Sequence, residues 1–124
     1  MSAQHYANAL RETYRYPAAS LASAAVVGRF IGPAGKTGRV VNVAHVVTTD
    51  VTVAAGAVTV DTNAGLASPV SHTVPVSAAN AAVAVPYASL KGQTELPADT
   101  VVEVQADGAP TAGAADLVVT VDWY

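Results

Sequence analysis

Gly35-Lys36-Thr37 is the tripeptide on which a phosphate-binding loop closes, with amides around the phosphate and a lysine on its charge. The spacing excludes that chemistry here. Such a loop needs a glycine five residues before Gly35, and that position is Phe30. Gly32 is too close, and no helical pattern follows to aim its amides at an anion. The segment reads as a turn carrying two basic residues. His5, His45 and His72 are too far apart for an H-x-x-x-H metal pair, and cysteine is absent, which removes thiolate sites and disulfides. Serine, histidine and aspartate all occur, but no Gly-x-Ser-x-Gly elbow does. His45 sits among valines, the setting of a half-buried structural imidazole rather than a base, and His72 is similar. The acids from Asp99 to Asp122 read as strand and loop positions, with no pair placed for acid–base work. The expectation is a protein that is not an enzyme, with no metal and no cofactor.

Binding chemistry has better candidates. Tyr6, Leu10, Arg11, Tyr14, Arg15 and Tyr16 crowd into the first seventeen residues, and Tyr and Arg are enriched where interfaces concentrate their energy. Tyrosines beside arginine can also stack on bases. Six basic residues in a chain of net charge −3 do not make a nucleic-acid footprint, so direct nucleic-acid binding is not expected. The expected partner is a protein. Ala7, Leu10 and Tyr14 fall at i, i+3 and i+7, so Ser2 to Tyr16 could form a short helix ended by Pro17. That length is marginal for a helix alone in water. Residues 1–17 therefore read as an N-terminal arm that orders against something else.

After Pro17 the pattern becomes β, and residues 18–124 read as one domain. Strand candidates are Ser23 to Ile31, Arg39 to Thr48, Val51 to Val53, Ala57 to Asp61, Val70 to Val76 and Ala81 to Val85. Within Arg39 to Thr48, Val41, Val43, His45 and Val47 share one face by strict alternation. Thr100 to Ala106 and Asp116 to Tyr124 alternate on either side of a Gly-rich loop, a hairpin signal. Leu117, Val119, Val121 and Trp123 form the expected core face. Seven or eight short strands at this spacing predict an all-β antiparallel sandwich, with the jelly roll as the favoured form.

Composition points the same way as the missing catalytic pattern. Only 12% of the chain is charged, against about 25% in an ordinary soluble domain, and 52% is hydrophobic, mostly Ala and Val. Such a surface suits packing against neighbours. Charge is also uneven. Residues 1–40 carry Arg11, Arg15, Arg29, Lys36 and Arg39 against Glu12 alone, while residues 41–124 carry Lys91 against eight acids. A basic front can attract an acidic body or an acidic partner. The apolar stretch from Ala18 to Val27 is far short of a membrane span of about 20 residues. Arg11 and Arg15 ahead of it suggest a signal peptide, but it holds a single Leu and follows Glu12 and three tyrosines, so no signal is expected.

Taken together, four features resemble the small capsid decoration, or cement, proteins of tailed bacteriophages. They are the Arg29–Val41 stretch RFIGPAGKTGRVV, the Thr-Thr-Asp turn at 48–50, the Leu-Pro-Ala-Asp-Thr turn at 96–100, and the terminal segment ending in Trp123-Tyr124. The resemblance implies a jelly roll on the outer face of a phage head, made in the bacterial cytoplasm. It implies binding to the major capsid protein, self-association as a trimer or dimer, and bracing of the shell. The Tyr/Arg arm would be the contact. Two other readings stay open: a tail-tube, tail-tip or fibre-attachment domain, which low charge and β-structure fit equally, and a carbohydrate-binding module, for which one Trp, one Phe and tyrosines mostly in the arm leave few platform aromatics.

Overall fold

The computed structural model describes residues 10–124. Nine strands follow one another there: β1 Leu10–Ser20, β2 Ala24–Phe30, β3 Gly38–Thr52, β4 Gly56–Thr62, β5 Val70–Val74, β6 Ala82–Pro86, β7 Glu95–Leu96, β8 Val102–Asp107 and β9 Ala112–Trp123. A single 3-10 turn, Tyr87–Ser89, is the one helical element among the described residues. The strands form two antiparallel sheets packed face to face. One has the order β1-β9-β3-β6, with β7 pairing β3 beyond the end of β6; the other has the order β2-β8-β4-β5. The all-β sandwich expected from the alternation is therefore present.

Valine and alanine build the space between the sheets. In β4, β5, β8 and β9 every second side chain is buried, as a pleated strand with one covered face requires. Leu117, Val119, Val121 and Trp123 are all buried, as their alternation predicts. In β3 the register against β9 shifts between Val40 and Asn42. Such a bulge places one extra residue in the strand. Strict alternation groups Val41 with Val43, His45 and Val47; after the shift it is Val40 that is buried beside those three, and Val41 is half-buried.

Three expectations about elements change. Residues 10–16 are not helical: they run as strand β1 along β9, from Leu10 opposite Trp123 to Ser20 opposite Ala114. Pro17 does not end the element. β1 is an edge strand, where a missing N–H costs no ladder bond, and the register shifts between Tyr16 and Ala19, with Ala18 at a φ of 47°. The described part of the expected arm is thus an integral strand, and residues 1–9 lie outside the described residues. Val51 to Val53 is not a separate strand, because β3 continues to Thr52. Finally, β8 and β9 are not a hairpin. They lie in different sheets, and the loop between them crosses the sandwich with Pro110 buried; a Cβ added to Gly56 would lie 3.2 Å from its ring. A Gly-rich loop between alternating strands serves a sheet-to-sheet crossing as well as a hairpin.

Candidate functional site

The aromatic residues gather where β1 closes one side of the sandwich. Alternation along β1 turns Glu12, Tyr14 and Tyr16 inward and Arg11, Thr13 and Arg15 outward. The Tyr14 ring stacks on Phe30 of β2 with centroids 3.9 Å apart, and Phe30 meets Trp123 edge-on at 6.3 Å. Trp123 Nε1 donates to the Tyr14 hydroxyl at 3.1 Å, and that hydroxyl donates to the Glu12 carboxylate. Burial, with Glu12 alongside, raises the Tyr14 pKa; burial alone pushes Tyr16 up to about 12. Both phenols therefore stay neutral at neutral pH. The Tyr16 ring lies against Gly28, where a Cβ would come within 2.0 Å of it, and its buried hydroxyl has no hydrogen-bond partner among the described residues.

The Gly32–Gly38 loop has a role that its phosphate-loop likeness concealed. Gly32 and Gly38 lie flat against the Trp123 indole, and a Cβ on either would stand 2.4 Å or 2.6 Å from it. Thr37 and Tyr124 exchange two backbone hydrogen bonds of 2.9 Å, and Asp99 accepts from the Gly35 amide at 2.9 Å. The loop is a clamp on the chain's one tryptophan. A glycine pair flanking a turn, in a chain with a single Trp, was the available signal.

Two of the contact candidates, Arg11 and Arg15, lie on the outward face of β1. Leu10 is half exposed at the start of the strand. Arg11 grips Asp122 of β9 with two bonds, Nε to Oδ1 at 2.7 Å and Nη2 to Oδ2 at 2.9 Å. Thr13 faces Thr120 across the pair, and Arg15 is exposed opposite Val118. A shallow hollow of about 250 Å³ opens at the bulge, lined by Arg15, Tyr16, Pro17, Asp116, Leu117 and Val118. Of the six sequence candidates, Arg11 and Arg15 thus share one solvent face, while Leu10 lies on the inward-turned face and is exposed at the strand's start. Tyr14 and Tyr16 pack into the protein's own interior, and Tyr6 lies outside the described residues.

The histidines hold a contact that sequence distance hid. His45 of β3 and His72 of β5 project inward from opposite sheets, both buried, and their Nδ1 and Nε2 atoms are 2.6 Å apart. One imidazole must donate and the other accept, so the two cannot both be protonated without breaking the contact. Burial lowers the pKa of His45; burial and the charge of His45 push His72 down to about 4. His5 lies outside the described residues. Two imidazoles this close do not bracket a metal, whose nitrogen ligands sit about 2.0–2.1 Å from it at tetrahedral angles. Among the described residues no group of three or more His, Cys, Asp or Glu side chains is placed to hold one.

All nine acids have intramolecular partners. Asp50, Asp61, Asp99, Asp107 and Asp116 accept from backbone amides that fix loops or the β1 bulge. Glu12 and Glu95 accept from the hydroxyls of Tyr14 and Tyr124. Asp122 and Glu103 hold Arg11 and Arg29. The attraction between a basic front and an acidic body is thus partly satisfied within the chain. Comparison with protein-family models, with curated proteins and with solved structures produces no match to this chain.

Proposed function

We propose that this chain is a non-enzymatic capsid decoration protein with a jelly-roll fold. It would bind the outer surface of a phage head and brace the shell by bridging major capsid subunits. The observation that carries the reading is the strand order. With the two-residue β7 set aside, the eight remaining strands can be numbered one to eight. Their order is then 1-8-3-6 in one sheet and 2-7-4-5 in the other. Each strand pairs with the one that makes the sum nine: 1 with 8, 2 with 7, 3 with 6, 4 with 5. That is a long hairpin of four strands against four, rolled into two sheets, the arrangement used by viral capsid domains and also by lectins and cupins.

Three further features support the reading. The acids serve loops and ion pairs rather than a reaction centre. Low surface charge suits a subunit that works while packed against others. Among the described residues Tyr87 is the one aromatic of the exposed large hydrophobic side chains, a poor platform for sugar rings. The mechanism is area and multiplicity. A standard interface buries about 800 Å² per partner, and repeating it in an oligomer makes each later contact effectively intramolecular. The docking surface is the outward pair Arg11 and Arg15 with the exposed strand start at Leu10, together with residues 1–9, Tyr6 among them.

Native mass measurement of the purified protein, with and without empty heads that lack it, tests this reading. The wild type is expected to bind. Deletion of residues 2–9 combined with Arg11→Glu and Arg15→Glu is expected to lower occupancy at least tenfold, about 1.4 kcal/mol or more per site. Wild-type occupancy by that variant would overturn the assignment of the surface, and no binding by the wild type would overturn the function.

A further inference from the structure

The four sheet edges are not alike. The β1 edge carries Arg11, Arg15, Pro17 and a bulge. The β2 edge is bulged between Val26 and Gly28 and carries Arg29. The β5 edge is partly covered by bridges from Ser71 to Lys91 and from Pro69 to Gln93. Charges, prolines, bulges and covering loops are the devices that stop an edge from recruiting another strand. β6 lacks them until its last residue, Pro86. Its sequence is Ala-Val-Ala-Val-Pro, four of its five residues are exposed, and positions 62–90 hold no Asp, Glu, Lys or Arg at all.

The backbone of β6 is also presented in a usable register. Val47 of β3 donates to the Ala81 carbonyl at 2.8 Å, and the pairing from Val46–Ala82 to Asn42–Pro86 keeps the same register. In an antiparallel pair the hydrogen-bonding residues alternate. Ala81, Val83 and Val85 therefore turn their backbone groups to β3, whereas Ala82 and Ala84 turn theirs out of the sheet. Pro86 belongs to the outward set, where its missing N–H breaks no bond to β3.

We infer that the β6 edge is a self-association surface, on which a second copy of this chain pairs antiparallel about a twofold axis through Ala84. The occupant follows from the symmetry of the strand. An axis at Ala84 sets Ala84 opposite itself, Val83 opposite Val85, and Ala82 opposite Pro86. The two Ala84 residues exchange two hydrogen bonds, and each Ala82 amide donates to a Pro86 carbonyl, four bonds in all. The small alanines let the outer faces meet, and the Val83–Val85 pairs close over the inner one. No charge is buried or opposed, although each chain carries −3. A twofold contact of this kind closes on itself and adds no further copies. Val46, the neighbour of Ala82 on the outer face, and Tyr87, just beyond the strand, are exposed and extend the contact. Five paired residues alone fall short of the about 800 Å² per partner of a standard interface, so the dimer is weak and forms with concentration.

This gives the self-association part of the proposed function a surface, and its test uses the purified protein alone, so it can fail while head binding stands, and the reverse. Sedimentation velocity across a concentration series is expected to show the mass rising from monomer to dimer. Ala84→Lys opposes two ammonium groups across the axis, and Ala84→Pro removes an amide that β3 does not use. Both are expected to weaken the dimer at least about tenfold with the far-ultraviolet circular dichroism unchanged. The chain has no cysteine, so Ala84→Cys supplies one thiol per copy. Facing Cα atoms in a hydrogen-bonded pair are about 5.5 Å apart, within disulfide reach. Oxidation is expected to link A84C dimers far faster than T13C, on the opposite edge. A wild type that stays monomeric, a dimer indifferent to A84K and A84P, or A84C linking no faster than T13C would each overturn the inference.

Discussion

Trp123 shows how single residues organise this molecule. Its indole touches two glycines, stands edge-on to Phe30 and is capped by the Tyr14 hydroxyl. Gly32→Ala drives a methyl into a ring that has nowhere to move, and overpacking of that kind costs about 1–3 kcal/mol. The expected result is a lowered thermal midpoint with the fold retained. Tyr14→Phe leaves the buried indole N–H without its acceptor, a loss of about 1–3 kcal/mol, measurable by urea denaturation followed through Trp123 fluorescence. His72 adds a pH dependence. Burial holds its folded-state pKa near 4, below the ordinary value of 6.5, so the unfolded chain takes up a proton first as the solution is acidified. The stability from this source is complete above about pH 6.5 and is lost as pH falls towards 4. Thermal midpoints are expected to drop between pH 7 and pH 5, and the His45→Leu, His72→Leu double variant is expected to flatten that slope.

At the scale of elements, β1 matters most. It covers the open side of β9 and brings Tyr14 and Tyr16 over the core, so removing it exposes Phe30 and Trp123. Deletion of residues 2–16 is expected to abolish cooperative unfolding and shift Trp123 emission to the red. Deletion of 2–9 is expected to leave both unchanged, and this contrast separates a foldable β1 from a detachable arm. Residues 10–16 carry both periods at once. Leu10 and Tyr14 fit one helical face, while Tyr14 and Tyr16 fit one strand face, and the β9 edge decides between them. Most other strands were legible because alternation of Val with polar residues has one meaning when turn residues bound it. Partnership was not legible. The 107–112 and 52–56 turns look local, yet each carries the chain to the opposite sheet, because both flanking strands have apolar faces that meet only by facing each other. For the same reason His45 and His72, 27 residues apart, could not be paired from sequence, and the glycines around Trp123 read only as a turn until the ring was placed.

At the scale of the whole molecule, charge and topology combine. Arg11 and Arg29 draw the basic front onto the acidic body, and the uncharged run at 62–90 gathers at the β5–β6 side. The result is a sandwich with a basic, ion-paired strand on one side and a bare edge on the other. Such a body suits a subunit that contacts a shell through one surface and its own copy through another. We propose that this shell is a phage head. Electron microscopy of tailed-phage particles assembled in the presence of this protein, gold-labelled, tests it most directly. The account predicts label distributed over the outer face of the head, with free tails unlabelled; label confined to tails, or absent from particles, would contradict it.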